Sequence, residues 1–156
     1  MALQMTTEAT LITRDIEQTA QALQEILLGA IAGTPFPTFT QYMAVALVSQ
    51  AFPVDRDTLE ERHARLTSLT REATAAIVDE LIAAGMLVEE PERTLTLGAD
   101  GDRVFGEVRE YLTTASVRMH EGIPTDDLVV TRRTLATLHA AATRELAQRP
   151  AESERF

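Results

Sequence analysis

The residues best equipped for chemistry lie in one short run. Thr67-Ser68-Leu69-Thr70-Arg71, followed by Thr74, offers several hydroxyl donors and a guanidinium. Hydroxyls and guanidinium groups hydrogen-bond phosphate oxygens, and a guanidinium also reads the O6 and N7 edge of guanine through two parallel bonds. Arg93 closes a polar insert, Glu89-Glu90-Pro91-Glu92-Arg93, whose turn would present it as a finger for a minor groove. The candidate DNA contacts are therefore Ser68, Thr70, Arg71, Thr74 and Arg93. Each has a plainer use as well. Ser68 or Thr70 suits a helix cap, and Arg71 suits pairing with a nearby acid such as Glu72 or Asp79. Arg56, Arg62 and Arg65 read as solvated helix charges. Every basic residue is Arg and none is Lys; Arg favours bidentate contacts, although a coding preference explains that bias more simply.

A second set is apolar. Phe39, Tyr42, Met43, Tyr111 and Met119 could line a cleft for an apolar or aromatic ligand, with ordinary core packing as the competing use. His63, His120 and His139 are far apart and lack the spacing of a helical metal site, so surface or interface positions are expected, with no metal and no cofactor. The stretch from Gly101 to Gly106 has no strand before it and no Lys after it, unlike a phosphate-binding loop. Cys is absent, which removes disulfides, thiolate metal sites and cysteine nucleophiles. Gly-x-Ser-x-Gly and His-Glu-x-x-His are absent too, and no enzyme is expected.

The totals point the same way. The 156 residues carry 14 basic and 24 acidic side chains, a net charge of −10, which argues against indiscriminate nucleic-acid binding. Length and a 45% hydrophobic fraction suit one globular domain with helical arms. The longest apolar stretches, Ile26–Gly33 and Met43–Val48, are shorter than the ~20 residues of a bilayer span. Met1–Glu8 has no signal-like pattern. A soluble cytoplasmic protein without a membrane partner is expected.

Periodicity supplies the elements that must position these residues. Ile12, Ile16, Leu23, Leu27 and Ile31 form one face of a helix from about Thr7 to Ala32, stopped by Gly33-Thr34-Pro35-Phe36-Pro37. Thr38 or Thr40 caps a second helix, Gln41–Ala51, and Asp55 or Asp57 opens a third that runs to Leu66. The fourth starts after Thr70, runs to Ala84, and stops at Gly85. Its Thr70, Arg71 and Thr74 are expected on a shared exposed side. Met86-Leu87-Val88 and Thr94-Leu95-Thr96-Leu97 bracket the polar insert as a hairpin. Two long helices follow, the last capped by Thr125 and spanning about 126–148, and residues from Pro150 on should fray. The expected fold is mainly α with a small β-hairpin.

Three short helices capped by a hairpin make a winged helix-turn-helix, whose second helix of the pair can enter a major groove. This places the DNA-binding region at 35–99, a helical dimerisation region at 7–34 and 100–148, and a frayed tail at 149–156. The terminal apolar stripes need a partner, and a symmetric homodimer supplies one. From about residue 8 to 148 the chain resembles the MarR family of bacterial transcriptional regulators. The likeness rests on Leu69-Thr70-Arg71, Ala76-Ile77-Val78-Asp79-Glu80-Leu81, Gly85-Met86-Leu87-Val88, Leu97-Gly98-Ala99-Asp100-Gly101 and Ile123-Pro124-Thr125-Asp126-Asp127-Leu128 in that order. It implies a homodimer on a pseudo-palindromic double-stranded operator, released by a small aromatic or drug-like effector.

Charge supports a rival reading. Between Asp55 and Leu97 five arginines face ten acids, and Glu89, Glu90 and Glu92 surround Arg93. A duplex repels such a segment unless the arginines and the acids occupy different faces. The rival is a winged-helix protein that has lost DNA binding and docks a basic protein surface instead.

Overall fold

The computed structural model describes the backbone of residues 2–148 and the side chains of residues 12–147, so the expected frayed tail at 149–156 lies outside the described residues. Six helices and three short strands follow one another: α1 (Ala2–Ile31), α2 (Phe39–Gln50), β1 (Val54–Asp55), α3 (Arg56–Thr67), α4 (Arg71–Ala83), β2 (Leu87–Glu89), β3 (Thr94–Leu97), α5 (Ala99–His120) and α6 (Thr125–Gln148). By packing, the chain divides into two compact units, Met1–Ala115 and Ser116–Phe156.

Local chemistry sets the boundaries in the first unit. Thr38 and Gln41 form a reciprocal capping box at the start of α2, which moves that helix two residues earlier than the expected Gln41. Ala44 to Val48 are all buried, because α2 is enclosed on every side in this stretch. Asp55 caps α3 by accepting from the Thr58 amide, and Thr70 caps α4 by accepting from Ala73. At the end of α4 the Gly85 amide donates to Ile82 and the Met86 amide to Leu81, closing a Schellman motif around the left-handed Gly85 (φ 72°).

The expected hairpin is one part of a three-stranded antiparallel sheet of order β1-β3-β2. Val54 pairs with Leu95 and Asp55 with Thr94, while Leu87, Val88 and Glu89 pair with Leu97, Thr96 and Leu95. A two-residue strand after a proline carries no alternation to read, so β1 is invisible to periodicity. The wing turn is a tight one: Arg93 donates its amide to Glu90, Glu90 donates to Thr94, and Arg93 itself is left-handed at φ 59°.

One core joins these parts. Ile31, Phe36, Val45, Val48, Leu59, Val78, Leu81, Leu87, Leu95, Phe105 and Val108 are buried in a single cluster. Each such side chain contributes roughly 1.5–3 kcal/mol by leaving water. The end of α1 and the start of α5 therefore pack with the winged-helix elements. Gly101 is required by the same packing, since a Cβ there would run into the Met86 carbonyl.

In the second unit Gly122 (φ 83°) ends α5, and α6 starts at Thr125 with Asp126 and Asp127 in its first turn. Thr125 thus lies inside α6 rather than preceding it as a cap. Val129, Val130, Leu135, Leu138 and Leu146 of α6 are exposed apolar side chains.

Candidate nucleic-acid interface

The turn between α3 and α4 spends most of its hydroxyls on its own backbone. Thr67 Oγ1 donates to the His63 carbonyl at 2.8 Å, and Thr70 Oγ1 accepts from the Ala73 amide at 3.2 Å. Ser68 closes α3 in the left-handed region (φ 56°). It is exposed, and its hydroxyl has no protein partner among the described residues.

Thr74 does not share the exposed side with Thr70 and Arg71. It is fully buried, on the inner face of α4 with Val78 and Leu81. Its hydroxyl lies 3.1 Å from His63 Nδ1, and His63 Nε2 lies 2.8 Å from the Thr40 carbonyl. A carbonyl only accepts, so Nε2 carries a proton, and in the neutral ring Nδ1 then accepts from Thr74. His63 is thus a buried, fully satisfied link between α2, α3 and α4, and not a surface residue. The exposed side of α4 includes instead Arg71, Glu72, Ala76, Asp79 and Glu80.

A second buried polar group also departs from expectation. Arg56, expected as a solvated charge, is buried and holds three carboxylates: Glu60 at 2.7 Å, Asp79 at 2.7 Å and Glu89 at 3.0 Å. Burial pulls its pKa down, but hydrogen bonds to the three acids outweigh that and leave the guanidinium held protonated above its ordinary range. Its backbone amide also donates to the Arg93 carbonyl at 2.9 Å. Arg56 therefore ties α3, α4 and the wing into one body.

The structure brings two expected DNA contacts to a common point. Arg71 Nη2 lies 2.8 Å from Asp57 Oδ1, and Arg93 Nη2 lies 3.4 Å from the same oxygen. Arg71 Nε reaches Glu60 at 3.5 Å, and Arg93 Nε reaches Glu89 at 3.9 Å. Both guanidinium groups remain more than half exposed, at 57% and 59%. Sequence reasoning missed Asp57 as their meeting point: the partners lie on three different elements, and no spacing along the chain encodes it. Arg62 and Arg65 are exposed and make no ion pair among the described residues. Glu90 and Glu92 at the wing tip are likewise exposed and without an ion pair among the described residues.

The expected ligand residues are scattered in environment. Tyr42 is half-buried between Phe36 and Phe105, with ring centroids 6.4 and 5.8 Å away. Desolvation raises its phenol above the usual 10, against the pull of Arg109. Met43 is partly buried, Phe39 and Tyr111 are exposed, and Met119 is exposed in the second unit. An open groove of about 500 Å³ lies elsewhere, lined by Phe52, Pro53, Glu90, Pro91, Glu92, Thr94 and Thr96. Among the described residues no group of three or more His, Asp or Glu side chains could hold a metal ion, and no helix is long and apolar enough to cross a membrane.

No family model and no curated protein matches this chain. Solved structures do match. A protein of Mycobacterium tuberculosis, Rv1404, is 23% identical with a TM-score of 0.68, covering 84% of this chain and 92% of its own. A MarR family protein from Bacillus stearothermophilus is 19% identical with a TM-score of 0.71, covering 86% and 95%. NadR in complex with 4-hydroxyphenylacetate is 21% identical with a TM-score of 0.63, covering 85% and 98%. With a helix-turn-helix at α3–α4, an antiparallel wing at β2–β3 and long flanking helices, this chain has the winged helix-turn-helix fold of the MarR family proteins.

Proposed function

We propose that the protein is a homodimeric DNA-binding transcriptional regulator, a repressor whose affinity for DNA is tuned by a small apolar or aromatic ligand. One observation carries the reading: α4 presents its capped N-terminal turn, with Arg71 exposed, beside Arg93 of the wing. A helix-turn-helix touches bases with the N-terminal residues of its second helix, and a wing reaches the adjacent backbone or minor groove. Ser68, Thr70, Arg71 and Arg93 are the residues we place on DNA, with Arg62 and Arg65 as added phosphate contacts. Thr74 acts through His63, by holding α4 in place.

Dimerisation would bring two copies of α4 to successive major grooves roughly 34 Å apart, on a pseudo-palindromic operator. Exposed Ile12, Ile16, Leu23 and Leu28 on α1 and the apolar residues of α6 are the surfaces we assign to it. NadR was solved with an aromatic acid, which supports an effector of that class here. Tyr42, Met43, Phe39 and Tyr111 of the first unit remain our proposed ligand contacts, and Met119 of the second unit is tested separately. A ligand shifts DNA binding only by its difference in affinity between the two states. No catalytic role is proposed, and a regulator of this kind works in the cytoplasm.

Fluorescence anisotropy on promoter fragments, including the protein's own upstream region, tests this at several salt concentrations. Specific binding that weakens with salt and collapses in Arg71→Ala supports the regulator. The second reading, a protein-interaction module, is favoured by the uncompensated Glu90 and Glu92 beside exposed Phe52 and Pro91. Absence of binding on a broad fragment pool at low salt, with the protein folded, selects it.

A further inference from the structure

We propose that Asp57 is a built-in competitor of DNA phosphate, a single carboxylate that holds Arg71 of the reading helix and Arg93 of the wing and so sets how tightly the protein grips a duplex. The inference deepens the DNA-binding reading and rests on it. One oxygen, Oδ1, takes both guanidinium groups, at 2.8 and 3.4 Å. Of the five arginines between Asp55 and Leu97, Arg56 is buried among its three acids and these two meet on Asp57, which leaves Arg62 and Arg65 without an ion pair among the described residues.

The alternative partners are weaker. Glu60 is 4% exposed, and Arg56 already holds it at 2.7 Å, so the 3.5 Å approach of Arg71 Nε is at the limit of a hydrogen bond. Glu89 is likewise taken by Arg56 at 3.0 Å and stands 3.9 Å from Arg93. Asp57 is held in place from below. It sits in the first turn of α3, where a negative charge suits the positive end of the helix. Arg93 is fixed from its own side, because the wing turn holds its backbone at φ 59°. Glycine adopts that conformation with least cost, so the turn holds this arginine against a small backbone penalty.

The pairs are strong enough to organise the two arginines and weak enough to exchange. Half-exposed ion pairs contribute little, since water and salt screen them. A phosphate arriving at this face can take Arg71 and Arg93 only by displacing them from Asp57. It also meets the released carboxylate as a like charge. Phosphate contacts carry no sequence information, so Asp57 restrains binding to any duplex, and a specific site wins through base contacts that random sequence lacks. In an acidic protein whose reading surface holds few cations, this favours discrimination over grip.

The test uses the full chain with Asp57→Asn, which keeps the shape of the side chain and removes its charge. Anisotropy on a random-sequence duplex should show affinity rising about 3- to 10-fold near 0.1 M salt, the range expected when one or two exposed pairs are released. The salt dependence should steepen by nearly one unit of log–log slope, the signature of one more phosphate-facing charge. Glu61→Gln, an exposed acid of α3 without an ion pair among the described residues, makes the same change in net charge and should have the smaller effect. In an Arg71→Gln/Arg93→Gln background the Asp57→Asn gain should shrink below about 2-fold, as expected for a pairwise coupling.

Two results on DNA overturn the proposal. If wild type binds DNA and folded Asp57→Asn binds equally or more weakly, Asp57 does not compete with phosphate and the DNA-binding reading stands. If Glu61→Gln matches Asp57→Asn, only net charge acts. If neither protein binds any duplex at low salt, the DNA-binding reading fails. The clamp itself is then judged by NMR of the arginine Nε–Hε groups. Asp57→Asn should move the Arg71 and Arg93 signals and make them respond to added inorganic phosphate, and unchanged signals would show that no clamp exists.

Discussion

Arg56 and His63 show how single polar side chains hold this domain from inside. Breaking a buried ion cluster by deleting one partner is costly because a desolvated charge is left behind, whereas removing both partners is often tolerated. Arg56→Met strands Glu60, which is 4% exposed, and should destabilise the fold by roughly 3 kcal/mol in urea unfolding. Arg56→Met with Glu60→Leu should recover most of that loss, because Asp79 and Glu89 are exposed enough to regain water. If the double variant is no more stable than the single one, the cluster is more than a charge-neutralisation device. Thr74→Val is the matching test on α4. It deletes the donor to His63 Nδ1 and should cost roughly 1–3 kcal/mol, the usual penalty for orphaning a buried acceptor. A change within a few tenths would mean that water reaches the ring.

At the scale of elements, the caps are where pH enters. Asp55 closes β1 and caps α3, and the hydrogen bond from the Thr58 amide holds its carboxyl below the ordinary value of 3.8. A folded-state pKa that is depressed gives stability that is present above the unfolded value and lost as pH falls through the folded one. The melting-temperature gap between wild type and Asp55→Ala should therefore be constant above about pH 5 and close as pH falls below the unfolded value. A gap that persists unchanged at low pH would show that the cap works through packing alone. The wing makes a separate test. Arg93→Gly relieves the left-handed backbone and should leave stability level or raise it by up to about 1 kcal/mol, while weakening DNA binding. A loss of both would show that Arg93 is structural.

The same elements explain what could be read from the chain and what could not. The starts of α2 and α4 and the stop at Gly85 follow from residues within a few positions of one another, so Thr38, Thr70 and Gly85 announce them. The two residues of β1 make sense only beside Leu95 and Thr94, which lie some forty positions on. Thr74 was misplaced because a threonine one turn from Thr70 looks polar, yet the buried face of α4 runs through Thr74, Val78 and Leu81. Arg71 and Arg93 were visible as donors from residue type alone. That they share Asp57, and that Arg56 sits buried among acids of α3, α4 and β2, depends on tertiary placement that no local period encodes.

At the scale of the whole molecule, the exposed apolar side chains are the surface that the proposed dimer would cover. On α6, Leu135 and Leu138 are 45% and 42% exposed and lie three residues apart, hence on one face of the helix. If that face joins two copies, Leu135→Glu/Leu138→Glu places four charges at a symmetric apolar interface, because each substitution occurs twice. Sedimentation should then show a monomer in place of a dimer, with the helical content of the folded chain retained by circular dichroism. DNA affinity should fall by at least about tenfold, since a monomer reaches one half-site and loses the second reading helix. Substituting Arg71 to Ala should, by contrast, abolish operator-specific binding, leave residual non-specific binding, and keep the dimer intact. A charged pair on α6 that changes neither mass nor affinity would move the dimer interface away from this face, and the apolar stripe of α1, with Ile16 and Leu23, would be the next to test.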